Sequence, residues 1–233
     1  MKIFSIEMTN NCNARCEFCP HSTSKHTRPR GYVSDEVVDR VIALQTAATI
    51  AICGFGEPTM HPLLPKHARA MCDAGMKVMM NTNGSLLTQR MYDDLAPSLT
   101  RLVVVADYYA FDADKILQSP KLPIEVFTIT GQNVHAVQKE KDNWGGQYGP
   151  STRPKVSRCS FCEDDWVYVT WEGVVSRCCA DFNVKTPIGT VWDCNKETSL
   201  RGIAIPLCKG CNGYVFKDAL VVGDYDGTKK GTT

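Results

Sequence analysis

Three thiols in the segment Cys12-Asn13-Ala14-Arg15-Cys16-Glu17-Phe18-Cys19 are separated by three and two residues, so one short loop can bring them to one metal centre. A cubane iron–sulfur cluster takes four thiolates. Three from a single loop, with no fourth close in sequence, leave one iron open to an outside ligand. An open position serves chemistry and a closed set serves structure, the distinction that separates catalytic from structural zinc. The competing reading of the triplet is a zinc knuckle.

Composition favours metal binding. The chain has twelve cysteines among 233 residues and a formal net charge of +1. The N-terminus Met1–Glu7 has no apolar signal core, and no run approaches the length of a membrane span. The expectation is a cytoplasmic chain with neither a nucleic-acid nor a membrane partner. In a reducing compartment, abundant cysteine points to metal ligands before disulfides. The length suits one domain, or one with a small appendage.

The elements that must position these residues alternate over 1–142. Ile3–Met8, Thr49–Cys53, Met76–Met80, Leu102–Ala106 and Ile124–Ile129 read as strands, the first with Phe4, Ile6 and Met8 on one face. Helical segments lie between them. Ser34 is placed to cap one whose apolar stripe is Val37, Val38, Val41 and Ile42. Pro62–Ala74 ends at Gly75, and Thr88–Leu95 and Asp112–Gln118 follow the same plan. This order predicts an α/β fold with a parallel sheet covered by helices. Ligands of such sheets sit at the carboxyl ends of the strands. The Cys loop, Gly54-Phe55-Gly56-Glu57-Pro58, Asn81-Thr82-Asn83-Gly84 and Asp107-Tyr108-Tyr109 all fall there. From Asn143 a Gly/Pro/Ser-rich stretch reads as a linker, so 143–233 is a second unit. Within it Trp166–Trp171 and Val174–Ser176 flank Glu172-Gly173 as a hairpin, followed by a short helical piece near 198–203 and a loose tail from Tyr225.

The Cys12/Cys16/Cys19 motif, with an aromatic residue before its last cysteine, resembles that of the radical S-adenosylmethionine (radical SAM) superfamily. That resemblance implies a partial, truncated TIM-type β/α barrel over 1–142. It also implies that SAM completes the fourth iron of a [4Fe–4S] cluster and is cleaved reductively to a 5′-deoxyadenosyl radical that abstracts hydrogen from substrate. A reductant such as flavodoxin or ferredoxin would supply the electron. Gly54–Pro58 resembles the family's Gly-Gly-Glu-Pro segment with Phe55 inserted. There the backbone at Gly54, Gly56 and Pro58 and the charge of Glu57 receive the methionine ammonium. A glycine loop lets carbonyls approach a cation closely. Asn83 is then a polar pocket contact, Asp107 a ribose contact and Phe18 a neighbour of the adenine. His21, Lys25, His26, Arg28 and Arg30 read as a solvated basic loop, with an anionic substrate or an acidic reductant as the minority reading. His61, His67 and His135 show no ligand spacing.

The second unit resembles the twitch domain, the short relative of SPASM that carries an auxiliary cluster. The pattern is Cys159, Gly173-x4-Cys178 and Cys208-x2-Cys211, with Asp181, Ile188–Val191 and Leu200-Arg201 as landmarks. On that resemblance Cys159, Cys178, Cys208 and Cys211 hold one auxiliary [4Fe–4S] cluster. The alternative is a zinc ribbon of Cys159-x2-Cys162 with Cys208-x2-Cys211. Cys53 and Cys72 read as core residues; Cys162, Cys179 and Cys194 read as spares near the second cluster. Size and motif order resemble the compact twitch enzymes of the 2-deoxy-scyllo-inosamine dehydrogenase type, which oxidise a carbinol and pass an electron to the auxiliary cluster. Trp144 stands where those enzymes carry a substrate-facing arginine. The implied function is oxidation of a small sugar- or cyclitol-like substrate. Two other readings stay open: a peptide-modifying enzyme (epimerase or thioether maturase), against which the lack of a leader-binding extension before strand one counts, and a non-catalytic zinc or electron-transfer protein.

Overall fold

A computed structural model describes residues 1–16, 19–22, 25–45, 47–105, 159, 161 and 164–199, with the backbone alone of 124–127. The strands are β1 (Lys2–Ile6), β2 (Thr49–Ile52), β3 (Lys77–Thr82), β4 (Arg101–Val105), β5 (Ile124–Phe127), β6 (Trp166–Val169), β7 (Val174–Ser176) and β8 (Pro187–Thr190). They form one eight-stranded sheet in the order β5-β4-β3-β2-β1-β6-β7-β8. Pairing is parallel from β5 through to β6, and antiparallel at β6–β7 and β7–β8. The sheet with its helices is the expected α/β architecture of a partial barrel. β6, the first strand of the expected hairpin, continues the parallel sheet by pairing with β1.

The helices α1 (Asp35–Leu44), α2 (Leu64–Asp73) and α3 (Gln89–Leu95) cross between the first four strands. Ser34 caps α1 by accepting from the Val37 N–H, and Thr88 caps α3 through Met91. Each fills one of the amide vacancies of a helix start. Past the end of α2, Gly75 adopts φ +86°, the left-handed turn that lets Gly75 and Met76 donate back to Cys72 and Met71. The apolar stripe of α1 is as predicted, with Val37, Val38 and Val41 buried and Ile42 packed against the core.

The main core lies between sheet and helices and includes Ile3, Ile6, Ile50, Ile52, Val78, Met80, Leu102 and Val104. A smaller cluster, Phe4, Ala51 and Met79 with Cys53, Phe161 and Trp166, lies on the other face. Phe4 stacks on Trp166 with ring centroids 4.7 Å apart. The expected common face of Phe4, Ile6 and Met8 is therefore corrected. The β1–β6 register shifts between Ile3 and Ser5, and the extra residue turns Phe4 away from Ile3 and Ile6. Among the described residues no helix is long and apolar enough to cross a membrane.

Candidate functional site

The carboxyl ends of β1, β2 and β3 bring three loops together. The Glu57 N–H donates to the Asn11 carbonyl at 2.7 Å, seating the loop after β2 on the chain that leads into Cys12. Gly56 makes the approach possible. A Cβ there would fall inside the Thr9 carbonyl and 2.6 Å from the Asn11 carbonyl oxygen. No side chain fits, which gives that glycine a steric reason independent of any cofactor.

Glu57 is 2% exposed. Its carboxylate accepts from the Thr59 N–H at 3.0 Å, the Thr59 hydroxyl at 2.5 Å, the Thr82 hydroxyl at 2.6 Å and the Asn83 N–H at 2.7 Å. Both oxygens thus tie the loop after β2 to the loop after β3. All four donors are neutral, and no cation pairs with Glu57 among the described residues.

Asn83 faces the Cys loop. Its amide donates to the Asn13 side-chain carbonyl at 3.0 Å, and its own side-chain carbonyl accepts from the Ser85 N–H and hydroxyl at 2.9 and 2.6 Å. Asn13 in turn donates to the Ser85 hydroxyl at 2.7 Å. This polar triangle latches the cysteine-bearing loop to the end of β3.

Cys12, Cys16 and Cys19 are half-buried, and no described cysteine is in a disulfide. The Ala14 N–H points at the Cys12 sulfur, 3.4 Å away. Burial raises the Cys12 thiol, with the Glu57 charge adding to it, and burial pushes Cys19 up to about 11. Among the described residues no three His, Cys, Asp or Glu side chains converge tightly enough to hold a metal ion. In a cubane each thiolate binds a different iron, so its ligands need not converge as those of a single ion do.

A second carboxylate escaped sequence reasoning. Glu7, fully buried just past β1, accepts a fork from Arg28 at 3.3 and 2.6 Å, and single bonds from the N–H groups of Phe55 at 3.2 Å and Trp171 at 3.3 Å. Arg28 also reaches Glu172 at 2.7 Å. Burial works against the Arg28 charge, but Glu7 beside it holds the guanidinium pKa above its ordinary value. The expectation of a solvated basic loop is thus corrected for His21, His26 and Arg28, which are 8–9% exposed. The loop is folded inward because Asn183 clamps it from both sides, donating to the Lys25 carbonyl at 2.6 Å and accepting from the Thr27 N–H at 2.9 Å. Burial, reinforced by Arg30 and Arg28, lowers His26 to about 4.

Of the expected second set, Cys178 lies in the turn after β7. Its pKa is pushed well above the ordinary value by a hydrogen bond with Cys179 and by burial. Asp181 caps the same turn, accepting from the Lys185 and Thr186 N–H groups at 3.0 Å each. Cys179 packs beside Phe55, Tyr168 and Phe182. Cys53 packs on the smaller cluster and Cys72 and Cys194 on the main core. Cys159 is half-buried. Phe18, Asp107, Trp144, Cys162, Cys208 and Cys211 lie outside the described residues, as do the helix expected at 112–118 and the linker. His61 and His67 have ring centroids 4.8 Å apart, but His61 bonds to the Val33 carbonyl and His67 to Asp35, a structural pair.

Residues 6–131 match the family described as the Radical SAM superfamily. A tungsten-containing aldehyde ferredoxin oxidoreductase cofactor-modifying protein of Pyrococcus furiosus is 31% identical over 114 residues, covering 48% of this chain and 31% of that protein. An AdoMet-dependent heme synthase of Methanosarcina barkeri is 31% identical over 110 residues, covering 46% of this chain and 31% of that protein. Either match thus spans only 31% of the relative's length. Among solved structures, BtrN in complex with AdoMet and 2-DOIA superposes with a TM-score of 0.66 over 83% of this chain and 79% of that one, at 20% identity. That likeness is one of fold.

Proposed function

The chain belongs to the radical SAM superfamily, and from that premise we propose that it oxidises a carbinol of a small sugar- or cyclitol-like molecule and passes an electron to an auxiliary cluster. Superfamily membership implies SAM and one [4Fe–4S] cluster. When bound, these supply an electron and a 5′-deoxyadenosyl group able to take hydrogen from substrate. The donor set fits such a cluster. Cys12, Cys16 and Cys19 share one loop, stay half-exposed and have the Ala14 amide beside the first sulfur.

The observation that carries the reading is the seating of the glycine loop on the Cys loop through Gly56. It brings carbonyl-bearing backbone and the Glu57 carboxylate to the rim where the methionine ammonium would lie. In this reading Glu57 acts on the ammonium through the field it sets up, since its oxygens are occupied, and the main chain at Gly54 and Gly56 makes the contact. Asn83 holds the Cys loop and is assigned a polar contact with the bound cofactor. Phe18 is assigned to the adenine and Asp107 to the ribose. Cys159, Cys178, Cys208 and Cys211 are assigned to the auxiliary cluster, and flavodoxin or ferredoxin is the proposed source of the electron. Fold likeness to BtrN over most of both chains supports the choice of a compact cyclitol-type substrate.

A second reading, favoured by the names of the two sequence relatives, is a cofactor precursor as substrate. One experiment separates the two. The chain is reconstituted without oxygen, reduced with dithionite and given SAM with candidate cyclitols, sugars, porphyrin precursors or peptides deuterated at the expected carbon. Deuterium in 5′-deoxyadenosine and a ketone product from a cyclitol support the proposal. Labelled 5′-deoxyadenosine from a porphyrin precursor or peptide alone contradicts it.

A further inference from the structure

We infer that Glu7 and Arg28 are positioning residues that aim the cofactor-binding backbone at Gly54 and couple it to the turn between β6 and β7. The inference rests on the reading of Gly54–Gly56 as the ammonium site. Glu7 lies under that loop: a Cβ on Gly54 would come within 2.8 Å of the Glu7 Cγ and 2.9 Å of its Cβ. The Phe55 N–H donates to Glu7 Oε1 at 3.2 Å. That N–H belongs to the same planar trans peptide as the Gly54 carbonyl, so the two point in opposite directions. Anchoring the N–H on Glu7 turns the Gly54 carbonyl away from the carboxylate, which leaves its oxygen facing a cation rather than a buried anion.

Glu7 is itself held on two sides. Its own N–H continues the β1–β6 ladder by donating to the Val169 carbonyl at 2.9 Å. Oε2 accepts from the Trp171 N–H at 3.3 Å and from Arg28 at 2.6 Å. The same Arg28 nitrogen reaches Glu172 at 2.7 Å, so one guanidinium bridges the floor of the glycine loop and the hairpin turn. Bidentate geometry gives the fork direction as well as attraction. A shift of the hairpin that carries Cys178 would therefore tilt Glu7 and, through it, the Gly54 peptide.

The test uses the full chain with Glu7→Gln, Arg28→Lys and Glu172→Gln, reconstituted anaerobically beside the wild type. Iron and sulfide content, thermal unfolding, and the change in the reduced cluster's electron paramagnetic resonance on titration with SAM are read for each. Glu7→Gln is expected to keep its N-terminal cluster but bind SAM about tenfold more weakly, the loss of one charge-assisted contact. Its KM for SAM should rise while the rate of 5′-deoxyadenosine formation at saturating SAM holds. Arg28→Lys keeps the charge without the fork and should fall between it and the wild type. Glu172→Gln, at the half-buried end, should weaken binding about twofold. Wild-type affinity in Glu7→Gln overturns the inference. If Glu7→Gln does not fold, unchanged affinity in both other variants overturns it. A wild type whose spectrum ignores SAM removes the site reading itself, a result distinct from the other two.

Discussion

Two buried glutamates hold the rim, and their surroundings differ. Glu57 ties the loops after β2 and β3 with four neutral donors, whereas Glu7 ties β1 to the hairpin with a guanidinium in the set. At Glu7 the negative charge is matched inside the protein, so that region works as a joint. At Glu57 the hydrogen bonds come from neutral groups, no cation pairs with it among the described residues, and its field reaches Cys12. A buried carboxylate without a cation is costly unless something returns the cost. A cationic ligand at the rim is such a return. Two residues of one type thus divide support from electrostatics.

The largest break to this contrast should come from Gly56→Ala, because the new methyl would overlap the Thr9 carbonyl. The glycine loop would have to leave the Cys loop. Iron retained at the N-terminal site, measured after anaerobic reconstitution, should drop to background. Next is Arg28→Met, which takes the guanidinium away from the buried Glu7. Removing one partner of a buried ion pair costs about 3–5 kcal/mol, readable by urea unfolding. Glu57→Gln should cost less, about 1–3 kcal/mol, since an amide can accept from only part of the donor set. It should nonetheless weaken SAM binding, whereas a stability loss of similar size in the main core should not.

The smallest effect at neutral pH concerns His26. Its folded pKa of about 4 lies below the ordinary histidine value of about 6.5, so between those values the unfolded chain binds more protons. Stability contributed through neutral His26 is present above about pH 6.5 and is lost as pH falls toward 4. His26→Leu should therefore show a shallower fall in unfolding midpoint than the wild type over that window, and little difference at pH 8. Parallel curves for the two proteins would contradict the assignment.

Much of the frame was legible because local signals agreed. Apolar runs marked five parallel strands, and Ser34, Thr88 and Gly75 marked helix ends by mechanisms that act within a few residues. The loops after β1, β2 and β3 fell on one rim for the same reason, the fourth lying outside the described residues. Glu7 was not legible: an isolated carboxylate at a strand end carries no period, and its partner Arg28 is 21 positions away. Arg28 and His26 looked solvated because the clamp that folds them inward, Asn183, is more distant still. Phe4 was put on the wrong face because a bulge depends on the partner strand, β6, which follows more than 150 residues later. The pairing of β6 beside β1 was equally hidden, since strand neighbours are chosen by tertiary packing.

The central claim is that Cys12, Cys16 and Cys19 hold a cluster whose fourth iron binds SAM. It is tested most directly on a chain in which Cys159, Cys178, Cys208 and Cys211 are replaced by alanine, so that any remaining cubane belongs to the first loop. After anaerobic reconstitution and reduction, one [4Fe–4S] signal should remain and shift when SAM is added, with 5′-deoxyadenosine released. A chain that holds no cubane, or one whose signal is unchanged by SAM, would contradict it.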